Sequence, residues 1–281
     1  IRVNMYIHHT YSISNEKQNT NENIKVYKSL LKEISKINLR RSSKFNILAV
    51  LGALKCMKEK TYSDNMGIYL ASEYGSITSV KNVLEQVSQD SIVMPFDFLN
   101  INSNNVSFYV SQALESKGKN MVLTSHDLSF EKALELALFD LEIDEVKDAL
   151  IGNVDESLDG INNFNKYISN VEKKPSKDLS AWIYINKQKD DSLAKIETFS
   201  AFTNINELNE LLKNTSFELA VLNQYATKQI NDLQINKDLV FSHDNVHGSV
   251  NIISMLNSDK KSFIYLAMDI NNKGYLVKFT K

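Results

Sequence analysis

Three polar residues at one corner of the sequence are of types that do chemistry. In "MVLTSHDLSFEKALELALFD", Met121 to Asp140, a short apolar run gives way to Ser125, His126 and Asp127, and then to apolar residues at Phe130, Leu134, Ala137, Leu138 and Leu141 at helical spacing. A side chain at such a strand-to-helix turn sits near the partly positive end of the helix, where thiolates, oxyanions and phosphates are stabilised. The nucleophile that would gain most there, a cysteine, is missing. The one cysteine, Cys56, falls near the end of an apolar helical stretch and reads as ordinary filler. Asp127 suits the corner as an N-cap that satisfies the first amides of the helix. His126 reads as a loop or pocket residue able to act as a base. A second pair stands in "SHDNVHGS", where His243 and His247 are four apart, a spacing that places both rings on one helix face and that zinc sites use. No convincing acidic or cysteine third ligand lies near them, so no metal and no other cofactor is expected.

The rest of the chain must supply the scaffold for this corner. Its 281 residues, 43% apolar, suffice for one double-length fold or two packed domains. Thirty-two basic against thirty-four acidic residues give a net charge of -2, so no global field recruits nucleic acid or an anionic membrane. A single cysteine excludes an internal disulfide framework and fits a reducing compartment, read here as the cytoplasm. No apolar run is long enough for a membrane span and no export signal is visible. Two prolines and eight glycines argue for long regular elements.

Those elements alternate. "VNMYIHHTYSI" reads as a strand, Glu22 to Ile37 as an amphipathic helix, and "KFNILAVLGALKCM" as a helix buried on all sides. "NMGIYLAS" reads as an inner strand, "SITSVKNVLEQV" as a helix capped by Ser76 or Thr78, and "NSNNVSFYVSQALES" as a helix before the strand "NMVLTS". "VKDALIGNVDE" is expected as a strand ending in a glycine turn. Beyond Pro175 a second series follows in similar order: "SAWIYINK", "AKIETFSAF", helix "NINELNELLKN", "FELAVLN", helix "VHGSVNIISML", "SFIYLAMDI" and "GYLVKFT". Such alternation predicts a largely parallel sheet with helices on its faces, and two similar halves predict two stacked sheets around shared helices.

Taken together, "RRSSKFNILAVLGALKCM", "MGIYLASEYGSI", "MVLTSHDLSFEKALELA" and "DALIGNVDE" resemble the N-terminal half of a β-ketoacyl synthase, and "LAVLNQYATKQIND" and "FSHDNVHGSVNIISML" resemble a shortened C-terminal half. The resemblance implies a thiolase-type α/β fold, two βαβαβαββ halves in five αβαβα layers, with residues 1–155 and 178–281 as the halves. It implies a site of three groups: a cysteine that takes the acyl chain as a thioester, and two histidines that stabilise the oxyanion of decarboxylation. Placed on the family's corner, Asp127 occupies the cysteine position. Placed on the pattern His-Gly-Thr-Gly-Thr-x-x-Asn-Asp, "QYATKQIND" puts Gln224 in the histidine position and retains Asn231 and Asp232. Placed on Gly-His-x-x-Gly-Ala-x-Gly, the third segment keeps His243. Ser125, His126, Asn231, Asp232 and His247 are then pocket candidates, and the glycine loop before the last strand is eroded to "NNKGY".

An aspartate cannot form a thioester, and a glutamine can donate a hydrogen bond but cannot carry a proton. The resemblance therefore implies a non-catalytic subunit of the chain-length-factor type in fatty-acid, polyketide or aryl-polyene synthesis. Its expected partners are an intact ketosynthase in a heterodimer, or itself in a homodimer, and an acyl carrier protein. The apolar strand "NMVLTS" is expected to pair across the dimer axis. Two other readings stay open: an unconventional condensing enzyme or acyl hydrolase using His126, Asp127 and His243, and a binding scaffold with no acyl role.

Overall fold

The computed structural model describes residues 2–15, 20–39, 41–157, 177–241 and 248–281. The first series of elements is β1 (Arg2–Asn15), α1 (Thr20–Ile34), α2 (Lys44–Cys56), β2 (Met66–Ala71), α3 (Ile77–Ser88), α4 (Pro95–Asn100), α5 (Asn104–Leu114), β3 (Asn120–Leu123), α6 (Ser129–Glu142), β4 (Asp148–Asp155) and β5 (Asp178–Asn186). The second is β6 (Ala194–Phe202), α7 (Ile205–Lys213), β7 (Leu219–Leu222), α8 (Gln224–Lys228), β8 (Val240–Phe241), α9 (Gly248–Leu256), β9 (Ser262–Met268) and β10 (Gly274–Thr280).

The strands form one sheet in the order β3-β2-β4-β5-β1-β6-β10-β9-β7-β8. Read outward from its centre, each side has the same plan. β1, β5, β4, β2, β3 on one side correspond to β6, β10, β9, β7, β8 on the other. In both, the hairpin strands are antiparallel and the outer three are parallel. Five of the nine pairings are antiparallel, so the expected largely parallel sheet is in fact mixed. For β9–β10 the physical reason is that the two strands are joined by a short turn, and a strand that returns directly must run antiparallel. The two sides join where β1 pairs with β6 at Met5↔Ile196 and its neighbours.

Side chains alternate across the strands, and this sorts the apolar residues into three cores. In β9, Phe263, Tyr265 and Ala267 face one core while Ile264, Leu266 and Met268 face another. In β2, Tyr69 and Ala71 join the first of these, and Ile68 and Leu70 join a third. The shared core holds α6 (Phe130, Leu134, Ala137, Leu138) and α9 (Ile252, Ile253, Leu256), packed against strands from both sides of the sheet. The outer cores are covered by α1, α2 and α5 on one side and by α7 and α8 on the other. The layers therefore run helix, sheet, helix, sheet, helix. This is the five-layer thiolase-type arrangement, with the two pseudo-repeated halves that the sequence implied.

Helix α2 is buried around its whole girth, as its composition requires, and Ser43 caps it by accepting from the Asn46 amide at 3.3 Å. The first turn of α3 is not satisfied by the expected hydroxyl. Ser76 makes no cap bond, and the Thr78 amide instead donates to the buried Glu156 carboxylate at 3.0 Å. The predicted glycine turn in "VKDALIGNVDE" is likewise displaced, because Gly152 lies inside β4. A Cβ there would stand 2.5 Å from the Trp182 ring, and one on Gly52 of α2 would stand 2.5 Å from Nε1 of the same indole. Both glycines clear space for the one tryptophan, which is fully buried.

Candidate functional site

The corner after β3 is a 3₁₀ turn, His126–Leu128, that runs straight into α6. His126 holds the left-handed conformation, φ 49°, unusual for a residue with a Cβ. Ser129 fixes the turn: its hydroxyl accepts from the Ser125 amide at 2.8 Å and donates to the His126 carbonyl at 2.7 Å. Leu128, not Asp127, occupies the N-cap position of α6. The cap reading of Asp127 is thereby corrected, because the intervening 3₁₀ turn moves the start of the helix on by a residue.

A small cavity opens at this corner, about 30 Å³ in volume, room for roughly one water. Asp127 and Gln224 both line it, with His126 exposed at its mouth. Three of the expected positions thus come together. Asn231 and Asp232 do not, because α8 turns the chain away from the cavity. Both are exposed, Asn231 accepting from Lys237 at 2.6 Å and the Asp232 carbonyl from Asn209 at 3.0 Å. Ser125 also faces elsewhere, accepting from Lys132 at 2.6 Å. His243 and His247 lie outside the described residues.

The remaining lining was not singled out from the sequence, and most of it is acidic or an acceptor: Glu73, Glu131, Asn153, Asp155, Asn223 and Tyr265. Glu131 is one helical turn beyond Asp127 and is almost wholly buried, 2% exposed. The Tyr265 hydroxyl donates to its Oε1 at 2.5 Å. Burial pushes the Glu131 carboxyl up to about 7; the Tyr265 bond opposes this, while the nearby Asp127 charge adds to it. Asp155, at the end of β4, accepts from the Ser72 hydroxyl at 2.7 Å and the Glu73 amide at 2.8 Å. Burial pushes it up to about 7 as well, against the Ser72 bond and with the help of the Glu73 charge. Asn223 caps α8 through the Ala226 amide at 3.0 Å and locks onto β9 through the Met268 backbone. Gly248 opens α9 beneath this cluster, where a Cβ would stand 1.8 Å from the Tyr265 hydroxyl.

Three of these residues, Glu131, Asn153 and Asp155, left a signal in the sequence. Glu131 interrupts an apolar helix face four residues after Asp127, and "GNVDE" places three polar side chains at the end of an otherwise apolar strand. Glu73 and Tyr265 left none, because their approach depends on how the two halves pack.

Chemically the arrangement is a set of acceptors. Stabilising an oxyanion takes hydrogen-bond donors directed at the developing charge. Here the Tyr265 hydroxyl is committed to Glu131, and the Asn153 amide to Ser249 at 3.2 Å. Among the described residues no cysteine, lysine or arginine lines the cavity. A carboxylate-lined floor also repels any anionic substrate. The cavity is far below the several hundred Å³ that an acyl chain or comparable ligand would fill.

The same architecture is found in solved structures of condensing enzymes. The fold is that of the ketosynthases. The ishigamide ketosynthase/chain length factor aligns over 98% of this chain and 99% of its own at a TM-score of 0.76, with 11% identity. A ketosynthase (ApeO) in complex with its chain length factor (ApeC) from Xenorhabdus doucetiae aligns over 99% of each chain at 0.60 and 10%. A β-ketoacyl synthase from Burkholderia phymatum aligns over the full length of both at 0.64 and 10%. No family model and no curated protein matches the sequence. Among the described residues no helix is long and apolar enough to cross a membrane, and no three carboxylate, imidazole or thiol groups are placed to hold one metal ion.

Proposed function

We propose that this chain is a non-catalytic, ketosynthase-like subunit of the chain-length-factor type, working in fatty-acid, polyketide or aryl-polyene biosynthesis beside an intact ketosynthase that supplies the nucleophile. The observation that carries the reading is the nucleophile corner itself. It keeps the turn and the central helix while presenting Asp127 and buried carboxylates in place of a thiol and donors. The two ketosynthase-like halves, expected at residues 1–155 and 178–281, are taken to divide after β5, because Asp178–Asn186 pairs with β1 and β4 of the first half; the cytoplasm is taken as the compartment, and an acyl carrier protein as the further partner of the assembled pair. The resemblance in fold to chain length factors held in complexes with ketosynthases supports the same assignment.

A partner surface is available on the N-terminal side. Among the described residues β3 is an outer strand with β2 as its one neighbour, so its far edge is available for pairing. Beside it in sequence, Leu84, Val87, Ile92, Met94, Phe98 and Phe108 are exposed, Ile92 by 89%. A concentration of large apolar side chains in this one segment marks an interaction face. A heterodimer would cover it with a related face of the ketosynthase, and the isolated chain would cover it with a second copy.

The test is co-expression with an intact ketosynthase, followed by size-exclusion chromatography and a condensation assay. Co-elution with altered product length supports the proposal. Separate elution, with the synthase making the same products alone, sinks it. The narrow cavity favours one other reading, a scaffold with no acyl role. That reading predicts co-elution with no change in product.

A further inference from the structure

Away from the corner, one buried pair of opposite charges stands outside the function proposed above. Lys44 is the first residue of α2 and Asp178 the first of β5. The Lys44 Nζ stands 2.5 Å from Asp178 Oδ1, and the two side chains are 8% and 0% exposed. Close as it is, this contact lacks the angles of a hydrogen bond, and the buried Nζ makes none. Asp178 is fixed in place by other donors. Its Oδ2 accepts from the Tyr27 hydroxyl at 3.1 Å and the Asn23 amide at 3.3 Å, and its Oδ1 from the Ser157 backbone amide at 2.8 Å. A third buried titratable group, Glu156, stands beside the pair. Burial pushes its carboxyl up, and the charges of Lys44 and Asp178 act on it in opposite directions. Two unit charges taken out of water carry a large desolvation cost, which a pair lacking good hydrogen-bond geometry offsets poorly.

We propose that Lys44 and Asp178 condense to an isopeptide bond, a covalent link between the first residue of α2 and the first residue of β5. The amide differs from the ammonium and carboxylate by one water, so no oxidant, reductant or co-reactant is needed. Proton transfer from nitrogen to Oδ1 frees the Nζ lone pair, which attacks Cγ and forms the C–N bond. Negative charge develops on Oδ2, where Tyr27 and Asn23 already donate, as donors fixed in advance do in acyl transfer. The Cγ–Oδ1 bond then breaks. Oδ1 leaves as water with two of the three ammonium protons, and the third stays on the amide nitrogen. Glu156 is the buried acid that can carry the second proton from nitrogen to oxygen. Holding the two groups in contact supplies the positional entropy of the step in advance. Condensation also removes both charges from a site closed to water, which favours the amide over the ion pair. The link closes residues 44–178 into a covalent loop and so restricts the unfolded chain. The inference is independent of the chain-length-factor reading, since neither residue lies at the corner.

The test is intact-mass spectrometry of the full chain, purified and held folded in neutral buffer, followed by tryptic digestion and fragmentation. The native chain should fall short of its sequence mass by one water, and the digest should contain a branched peptide that joins Lys44 to Asp178 and is uncut after Lys44. Lys44→Arg and Asp178→Ala should each show the full sequence mass. Glu156→Gln keeps the Oε1 acceptor for the Thr78 amide but carries no proton, so it should stay largely at full mass over the time in which the native chain converts. A native chain of full sequence mass, cleaved normally after Lys44, overturns the proposal whatever the variants do. A loss of water that fragmentation places anywhere else overturns it equally. A Glu156→Gln protein that is folded by circular dichroism and converts as fast as the native chain overturns the part given to Glu156.

Discussion

Glu131 offers a sharp test of how the corner is built. Its carboxyl goes from 4.5 to about 7 on folding, mainly because burial disfavours the charge. A buried acid whose folded value is raised binds more protons than the unfolded chain between those two points. Stability is therefore greatest below about 4.5, falls as pH rises towards 7, and stays low above it. At about 1.4 kcal/mol per tenfold change in proton affinity, the loss is about 3 kcal/mol. Glu131→Gln keeps the shape and the Oε1 acceptor for Tyr265, removes the ionisation, and turns the unpartnered Oε2 into an N–H donor. The variant should match the native chain at about pH 4.5 and exceed it by about 3 kcal/mol at about pH 8. Asp155, raised in the same way, leaves part of the pH dependence in place, so the slope should shrink rather than vanish. Urea unfolding across this pH range measures both curves. A variant that is less stable at pH 8, or whose curve runs parallel to the native one, would refute the account of Glu131 as a buried group forced to ionise.

Other consequences are as direct. Incubation with radiolabelled acyl thioester should leave the protein unlabelled, and Asp127→Cys alone should not restore condensation, because the carboxylate-rich lining still repels an anionic substrate and a developing oxyanion. Gly248→Ala should destabilise the chain by about 1–3 kcal/mol in chemical denaturation, since its methyl would overlap the Tyr265 hydroxyl at 1.8 Å and break the bond to Glu131. Phe98→Asp, on an exposed and apolar part of α4, should leave the melting temperature within about a degree but abolish co-elution with the ketosynthase. Cys56, whose thiol burial pushes up to about 12, should resist iodoacetamide in the native chain and react on unfolding.

The fold was legible because its signals are local and repeated. The order strand, helices, strand, helix, strand, strand recurs, and each strand's alternation assigns its faces. The difference lies in direction: apolar strands between helices suggested a largely parallel sheet, whereas β4–β5 and β9–β10 are antiparallel pairs, the latter joined by a short turn. The site was legible at the corner and at Gln224, which follow strands and so sit at the sheet's edge facing the central helices. Asn231 and Asp232 were misplaced because a motif match assumes that the chain continues as in the family. In this chain Asn223 caps a short helix and carries the following residues outward. Glu73 and Tyr265 were invisible because nothing in their neighbourhoods distinguishes a residue at a junction of halves from one in an ordinary strand or loop.

This division also explains how the residue at such a corner can vary while the frame is kept. The central helices are held by apolar contacts to strands from both halves, by Phe130, Leu134, Ala137 and Leu138 on α6 and Ile252, Ile253 and Leu256 on α9. None of those contacts involves the side chain at position 127. A change of residue there leaves the burial that supports the helix unchanged, and apolar burial is the dominant favourable term in folding. The cost falls instead on the cavity, where burial holds the Glu131 and Asp155 carboxyls protonated to about pH 7. A buried charge without a partner shifts its proton affinity before it breaks the fold. The corner can therefore drift in chemistry while its geometry is retained, so long as another surface keeps the chain in use. The exposed apolar side chains from Leu84 to Phe108 and the edge of β3, unpaired among the described residues, are the surface that the proposed function would use.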